Sequence, residues 1–195
     1  SETVTQPSDS LFAELQVTDV DCFGAATGSI ESSVSGGTAP YTYLWSDNTT
    51  LDSISELTIG TYSLTVTDSL GCLLSVSTEV NQPNGIILNH TQFDILCFGD
   101  ATGSIDLTVS GGVSPFSYLW SNGATSEDLS AIPAGPYDVL VTDSNGCSST
   151  RVMSLSQPLS AVLISETHTD ALCIGGDQGT IDLTVVGGTP DYTYL

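Results

Sequence analysis

The chain has 195 residues, with one basic side chain, Arg151, against 23 acidic ones and a net charge of −22. Binding a phosphate backbone needs Lys and Arg, so DNA and RNA are excluded as natural partners, and anionic membrane surfaces are disfavoured. Charged residues are only 12% of the chain, Ser and Thr exceed a quarter of it, and no apolar run approaches the roughly 18 residues of a membrane helix.

Taken in chain order, residues 1–7 read as the end of a preceding repeat or a linker, closing on Gln6-Pro7. The Gln-Pro pair returns at Gln82-Pro83 and Gln157-Pro158, which sets expected modules at 8–82 and 83–157 and a truncated third at 158–195. Proline fixes φ and lacks a backbone donor, so it suits a stiff junction outside any sheet. Apolar strands start soon after, at Gly85-Ile86-Ile87-Leu88 and Ala161-Val162-Leu163-Ile164. No leader pattern is visible at Ser1, and the chain reads as an internal piece of a longer exported protein.

Inside the modules the apolar period is 2, the signature of half-buried strands. Ile30, Ser32 and Val34 alternate with polar neighbours; Ile105, Leu107, Val109 and then Ile181, Leu183, Val185 repeat the pattern. Gly-Gly ends each of these strands, at 36–37, 111–112 and 187–188. Tyr41-Thr42-Tyr43-Leu44-Trp45 and Phe116-Ser117-Tyr118-Leu119-Trp120 follow, each after a proline, and place alternate rings on one face. Next come Tyr62 and Tyr137, each opening a strand after a glycine corner, as in the tyrosine corner of Greek-key sandwiches. The strands from these tyrosines to Thr67 and Thr142 end in turns that hold Cys72 and Cys147, the second with an Asn-Gly hairpin signal. A last strand runs to Gln82 or Gln157.

The repeat is the main organising fact. Block 22–82 aligns without a gap on 97–157, with close to half the positions identical, and a third copy starts at Cys173. A long fixed period means an array of small modules, and catalytic constellations are rarely repeated intact along a chain. Cys22 and Cys72 are 50 residues apart, as are Cys97 and Cys147. That spacing predicts disulfides Cys22–Cys72 and Cys97–Cys147, with Cys173 unpaired by truncation. Closing such a loop restricts the unfolded chain by roughly 4 kcal/mol on the chain-entropy model, a useful staple for a module too small to bury much apolar area. Paired structural cysteines imply an oxidising setting. The expected fold is all-β: tandem immunoglobulin-like Greek-key β-sandwich modules of about 75 residues, each with one disulfide.

Candidate chemistry is thin. His90 and His168 do not align between copies, and no nucleophile, base or acid recurs with them, so no enzymatic activity is expected. Asp68 and Asp143 occupy equivalent turns, and Asp19 and Asp21 precede Cys22. Their functional reading is as oxygen ligands for Ca²⁺, but no established calcium-loop spacing is present. The competing and favoured reading is that aspartate caps turns through nearby backbone N–H groups. Trp45 and Trp120 read as core rather than as sugar platforms, and Tyr62 and Tyr137 join them as core residues.

Cys97-Phe98-Gly99-Asp100-Ala101-Thr102-Gly103-Ser104-Ile105, the Ser110-Gly111-Gly112 turn, Tyr118-Leu119-Trp120-Ser121-Asn122-Gly123 and Val141-Thr142-Asp143-Ser144-Asn145-Gly146-Cys147 resemble the SprB repeat, named for the giant mobile adhesin of gliding Bacteroidota. The resemblance covers both complete copies and the start of the third. It implies display on the cell surface after export by the type IX secretion system. It also implies surface motility machinery, neighbouring repeats, and a substratum or surface polysaccharide as partners. Bacteria of that phylum attach O-glycans at Asp-Ser/Thr-apolar triplets, which the chain matches at Ser10, Ser53 and Ser69. The expected function is a structural and adhesive stalk with no cofactor except, at most, Ca²⁺. The alternative is an accessory carbohydrate-binding region of a large secreted enzyme, which a row of exposed aromatic rings would favour.

Overall fold

The computed structural model describes residues 9–195; the expected linker at 1–7 lies outside them. Every regular element described is a β-strand. By its contacts the chain forms two compact units. One takes the chain up to Ile87 with Ser110–Phe116 and Asp143–Cys147; the other takes Leu88–Val109, Ser117–Thr142 and Ser148–Leu195.

The first unit holds six strands: β1 (Phe12–Thr18), β2 (Gly28–Ser35), β3 (Thr42–Trp45), β4 (Ser53–Leu57), β5 (Gly60–Thr67) and β6 (Leu73–Val80). They form two antiparallel sheets, β1-β2-β4 and β3-β5-β6. This is the immunoglobulin-like arrangement, in which the third strand crosses to the sheet of the last two. Period-2 alternation sends Ile30 from one sheet and Trp45, Leu64 and Val66 from the other into one core, closed by Val80. The Trp45 indole N–H donates to the Leu51 carbonyl at 2.9 Å, so the ring is buried without an orphaned donor.

The second unit repeats the plan with β7 (Ile87–Phe93), β8 (Gly103–Ser110), β9 (Ser117–Trp120), β10 (Leu129–Ile132), β11 (Gly135–Thr142) and β12 (Ser148–Leu155), whose sheets are β7-β8-β10 and β9-β11-β12. Ile105, Trp120, Val139 and Val141 are among its buried residues, and Trp120 Nε1 donates to the Ser126 carbonyl. Two further strands, β13 (Leu163–Thr169) and β14 (Thr180–Val186), make an antiparallel hairpin in the same unit.

The Gly-Gly turns need glycine for two reasons. Gly36, Gly37, Gly111 and Gly112 all have positive φ, and a side chain at Gly36 or Gly111 would run into the carbonyl of Ser10 or Gly85.

Strands β4 and β10 were not foreseen from alternation. Ile54 and Leu57, like Leu129 and Ile132, are three residues apart yet both buried. A bulge resets the register between them, with Glu56 (φ 58°) and Ala131 (φ 53°) in the left-handed region, so period 2 is broken where burial is required.

The structure corrects the expected disulfides. Cys22 is bonded to Cys147, not to Cys72, and Cys72 and Cys97 are free and exposed. The reason is strand length. The loop holding Cys22 is fastened to the far end of β6, where Val20 N donates to Asn81 O and Gly24 N to Gln82 Oε1. Cys72 immediately precedes the start of the same strand. Eight residues at about 3.3 Å each separate the two ends by roughly 26 Å, far beyond the about 7 Å limit between bonded cysteine Cα atoms. The same holds for Cys97, whose loop is tied to Ser156 and Gln157 beyond β12, while Cys147 precedes it.

Candidate functional site: the cysteine-bearing loops and turns

The β5–β6 turn is built on Asp68. Its Oδ1 accepts the amides of Leu70 (3.0 Å) and Cys72 (2.8 Å), and its Oδ2 that of Thr38 (3.0 Å). Asp143 does the same with Asn145, Cys147 and Val113. Both carboxylates are buried. The Cys72 amide, with help from Thr38 and Leu70, holds the Asp68 carboxyl below the usual aspartate range against the opposing effect of desolvation. These aspartates therefore clamp the Gly-Gly turn to the cysteine-bearing turn. Asp19 accepts the Asn81 amide at 2.8 Å, and Asp21 offers its backbone carbonyl to Asn145 Nδ2 at 2.9 Å. Among the described residues, no group of three or more His, Cys, Asp or Glu gathers as a metal centre, so the four aspartates considered for Ca²⁺ are not brought together.

The loops bearing the first cysteine of each copy are held alike. The glutamine of each Gln-Pro pair reaches back to them: Gln82 Oε1 accepts from Gly24 N, and Gln157 Oε1 from Gly99 N at 3.0 Å. Sequence reasoning took the Gln-Pro pair as a boundary and missed this anchoring role; the recurrence of Gln with Cys-Phe-Gly was the available signal. In the first unit, the ring of Phe23 stands against Gly85, and the Asp143–Cys147 turn delivers its cysteine to Cys22 with Cα atoms 5.6 Å apart.

The remaining residues singled out from sequence fall as follows. Trp45 and Trp120 are 2% exposed and Tyr137 is buried, while Tyr62 is partly buried against the core. The hydroxyls of Tyr62 and Tyr137 donate to carbonyls four residues upstream, Thr58 and Pro133, which makes the tyrosine corner. Ser10, Ser53 and Ser69 are exposed, the first before β1, the second on β4 and the third in the β5–β6 turn. Arg151 is spent internally: Nη1 donates to the Leu88 carbonyl at 2.7 Å and Nε to His90 Nδ1 at 2.9 Å. Cys173 is exposed and unpaired.

The pattern of the SprB repeat matches residues 15–50, 89–125 and 165–195, more than half the chain. The chain belongs to the SprB repeat family. No curated protein matches it. Among solved structures, this chain is similar to a Dscam structure on isoform specificity, at 16% identity and TM-score 0.31 over 78% of this chain and 46% of that one. It is also similar to the Dpr2 Ig1-Ig2 complex with DIP-Theta Ig1-Ig3, at 10% identity and TM-score 0.30 over 78% and 68%. Domains 3 and 4 of rat CD4 match at 16% identity and TM-score 0.26 over 74% and 86%. The chain thus spans less than half the length of the Dscam chain. SprB repeats occur in cell-surface proteins and are typically non-catalytic, which fits an adhesion-type extracellular module. No helix among the described residues is long and apolar enough to cross a membrane.

Proposed function

We propose that the chain is a non-catalytic stalk segment of a large bacterial surface adhesin of the gliding-motility type, exported by the type IX route, that spaces and distributes adhesion to a substratum or surface polysaccharide. What carries the reading is the recurrence of a whole sandwich, with its clamped turns and anchored loops, while no metal-binding cluster of His, Cys, Asp or Glu accompanies it among the described residues. Side chains that chemistry would want are used to build the frame: both tryptophans in the cores, Asp68 and Asp143 in the turns, Arg151 against a carbonyl. An accessory sugar-binding region would keep its tryptophans outside.

The net charge of −22 on a hydroxyl-rich surface suits crowded modules that must repel one another and stay hydrated. Leu44 and Leu119 stand exposed at equivalent positions of β3 and β9, so any apolar contact there is offered once per copy.

Small-angle scattering tests the stalk. An elongated particle that shortens as salt rises supports spacing by charge repulsion, because screening contracts to about 8 Å at physiological ionic strength. Loosening by chelator at constant ionic strength would instead assign the stiffness to Ca²⁺. A compact globule under all conditions would overturn the stalk and favour the accessory binding region.

A further inference from the structure

Cys97 is free, yet the features that hold Cys22 in place recur around it. Its loop is held to Gln157 as that of Cys22 is held to Gln82. Phe98 follows it as Phe23 follows Cys22. Cys97 and Phe98 share a recess with Ser160, Ala161, Val162 and Thr189 of the third copy. Phe23 shares one with the matching stretch of the second, Asn84, Gly85 and Ile86. The backbone contacts there repeat too: Gly112 N donates to Asn84 O, and Gly188 N to Ser160 O.

What places Cys147 at Cys22 is its turn. Asp143 Oδ2 accepts the Val113 amide, and Ser144 N donates to the Val113 carbonyl. In the third copy the residue equivalent to Val113 is Thr189, which lines the recess beside Cys97.

We propose that Cys97 is the attachment point for the second cysteine of the copy that follows it, so that successive SprB repeats are locked by a ladder of disulfides from each first cysteine to the next copy's second. By the same translation, Cys72 receives the first cysteine of a copy placed ahead of it. Cys72 already sits in the turn that Asp68 clamps to Thr38, as Asp143 clamps the turn of Cys147 to Val113. Bond formation consumes two thiols, which pass two electrons and two protons to a low-molecular-weight disulfide; that disulfide leaves as two thiols. The covalent connection then runs along the array rather than closing each module on itself. This goes beyond the stalk reading and stands whether or not the chain adheres to anything.

Tyr194-Leu195 aligns with Tyr118-Leu119, so grafting residues 120–157 directly after Leu195 completes the third copy. The extended chain is oxidised with glutathione disulfide, alkylated and mapped without reduction. The expected peptides join Cys22 to Cys147 and Cys97 to the grafted cysteine, with Cys72 and Cys173 alkylated. In the 195-residue chain, Cys97 should instead be alkylated completely. Cys97 left alkylated in a folded extended chain, or bonded to Cys147, would overturn the proposal. Should the graft misfold, Thr189→Cys in the unextended chain serves. A short bis-maleimide should join Cys97 to the new thiol, and failure to do so while both thiols alkylate singly would remove the proximity on which the ladder depends.

Discussion

Strands β8 and β14 carry nearly the same pattern, and the two fare very differently. Ile105 and Leu107 on β8 are 0% and 3% exposed, whereas Ile181 and Leu183 on β14 are 72% and 50% exposed. Each strand is hydrogen-bonded to the strand before it, β7 or β13. The difference lies across the sandwich. β8 belongs to a module whose second sheet carries the buried Trp120, Val139 and Val141, while β13 and β14 are a two-stranded sheet with no partner sheet among the described residues. Alternation chooses which face is apolar, but burial requires something to cover that face, and a lone hairpin contributes little stability by itself.

The strongest way to break this comparison is to remove the covering residue. Trp120→Ala should destabilise the second module by roughly 3–5 kcal/mol in denaturant unfolding. An unchanged midpoint would mean that the ring does not seal Ile105. Next, Ile105→Ala should cost roughly 2–5 kcal/mol, and Ile181→Ala no more than about 0.5. With residues 120–157 grafted after Leu195, Ile181→Ala should rise towards the cost of Ile105→Ala, and equal costs before the graft would refute the account. Tyr137→Phe, which removes the hydroxyl bonded to Pro133, should cost about 1 kcal/mol.

The smallest effect concerns the turns, which β13–β14 does not share. The folded-state pKa of Asp68 is depressed, so its contribution is fully present above the ordinary aspartate value and is lost as pH falls through the lower folded value. The thermal midpoint should therefore drop in acid below about pH 4. The gap between wild type and Asp68→Asn, which cancels the change in overall charge, should narrow over the same range. A gap constant from pH 7 to pH 2 would remove the charged acceptor from the explanation. Asp94 is also held low, chiefly by the Ser156 hydroxyl and amide, and leaves a residual acid dependence in that variant.

Much of this was legible in the chain because it is local. The period-2 strands, the Gly-Gly turns, the tyrosine corner and the aromatic pairs are each written within a few residues, and repetition makes them plain. Strands β4 and β10 were hidden because a bulge replaces alternation with a spacing of three. The glutamine anchors were hidden because Gln82 and Gly24 lie 58 residues apart.

The cysteines mark the division most clearly. Sequence by itself determined that they recur in pairs, that the modules are β-sandwiches of one family, and that the tryptophans and turn aspartates build the frame. Which cysteine meets which was decided by the tertiary structure alone. A constant 50-residue spacing says nothing about the end of the sandwich at which each sulfur emerges. The eight-residue strand β6 separates Cys22 from Cys72, and the clamped turn of the second copy brings Cys147 to Cys22 instead.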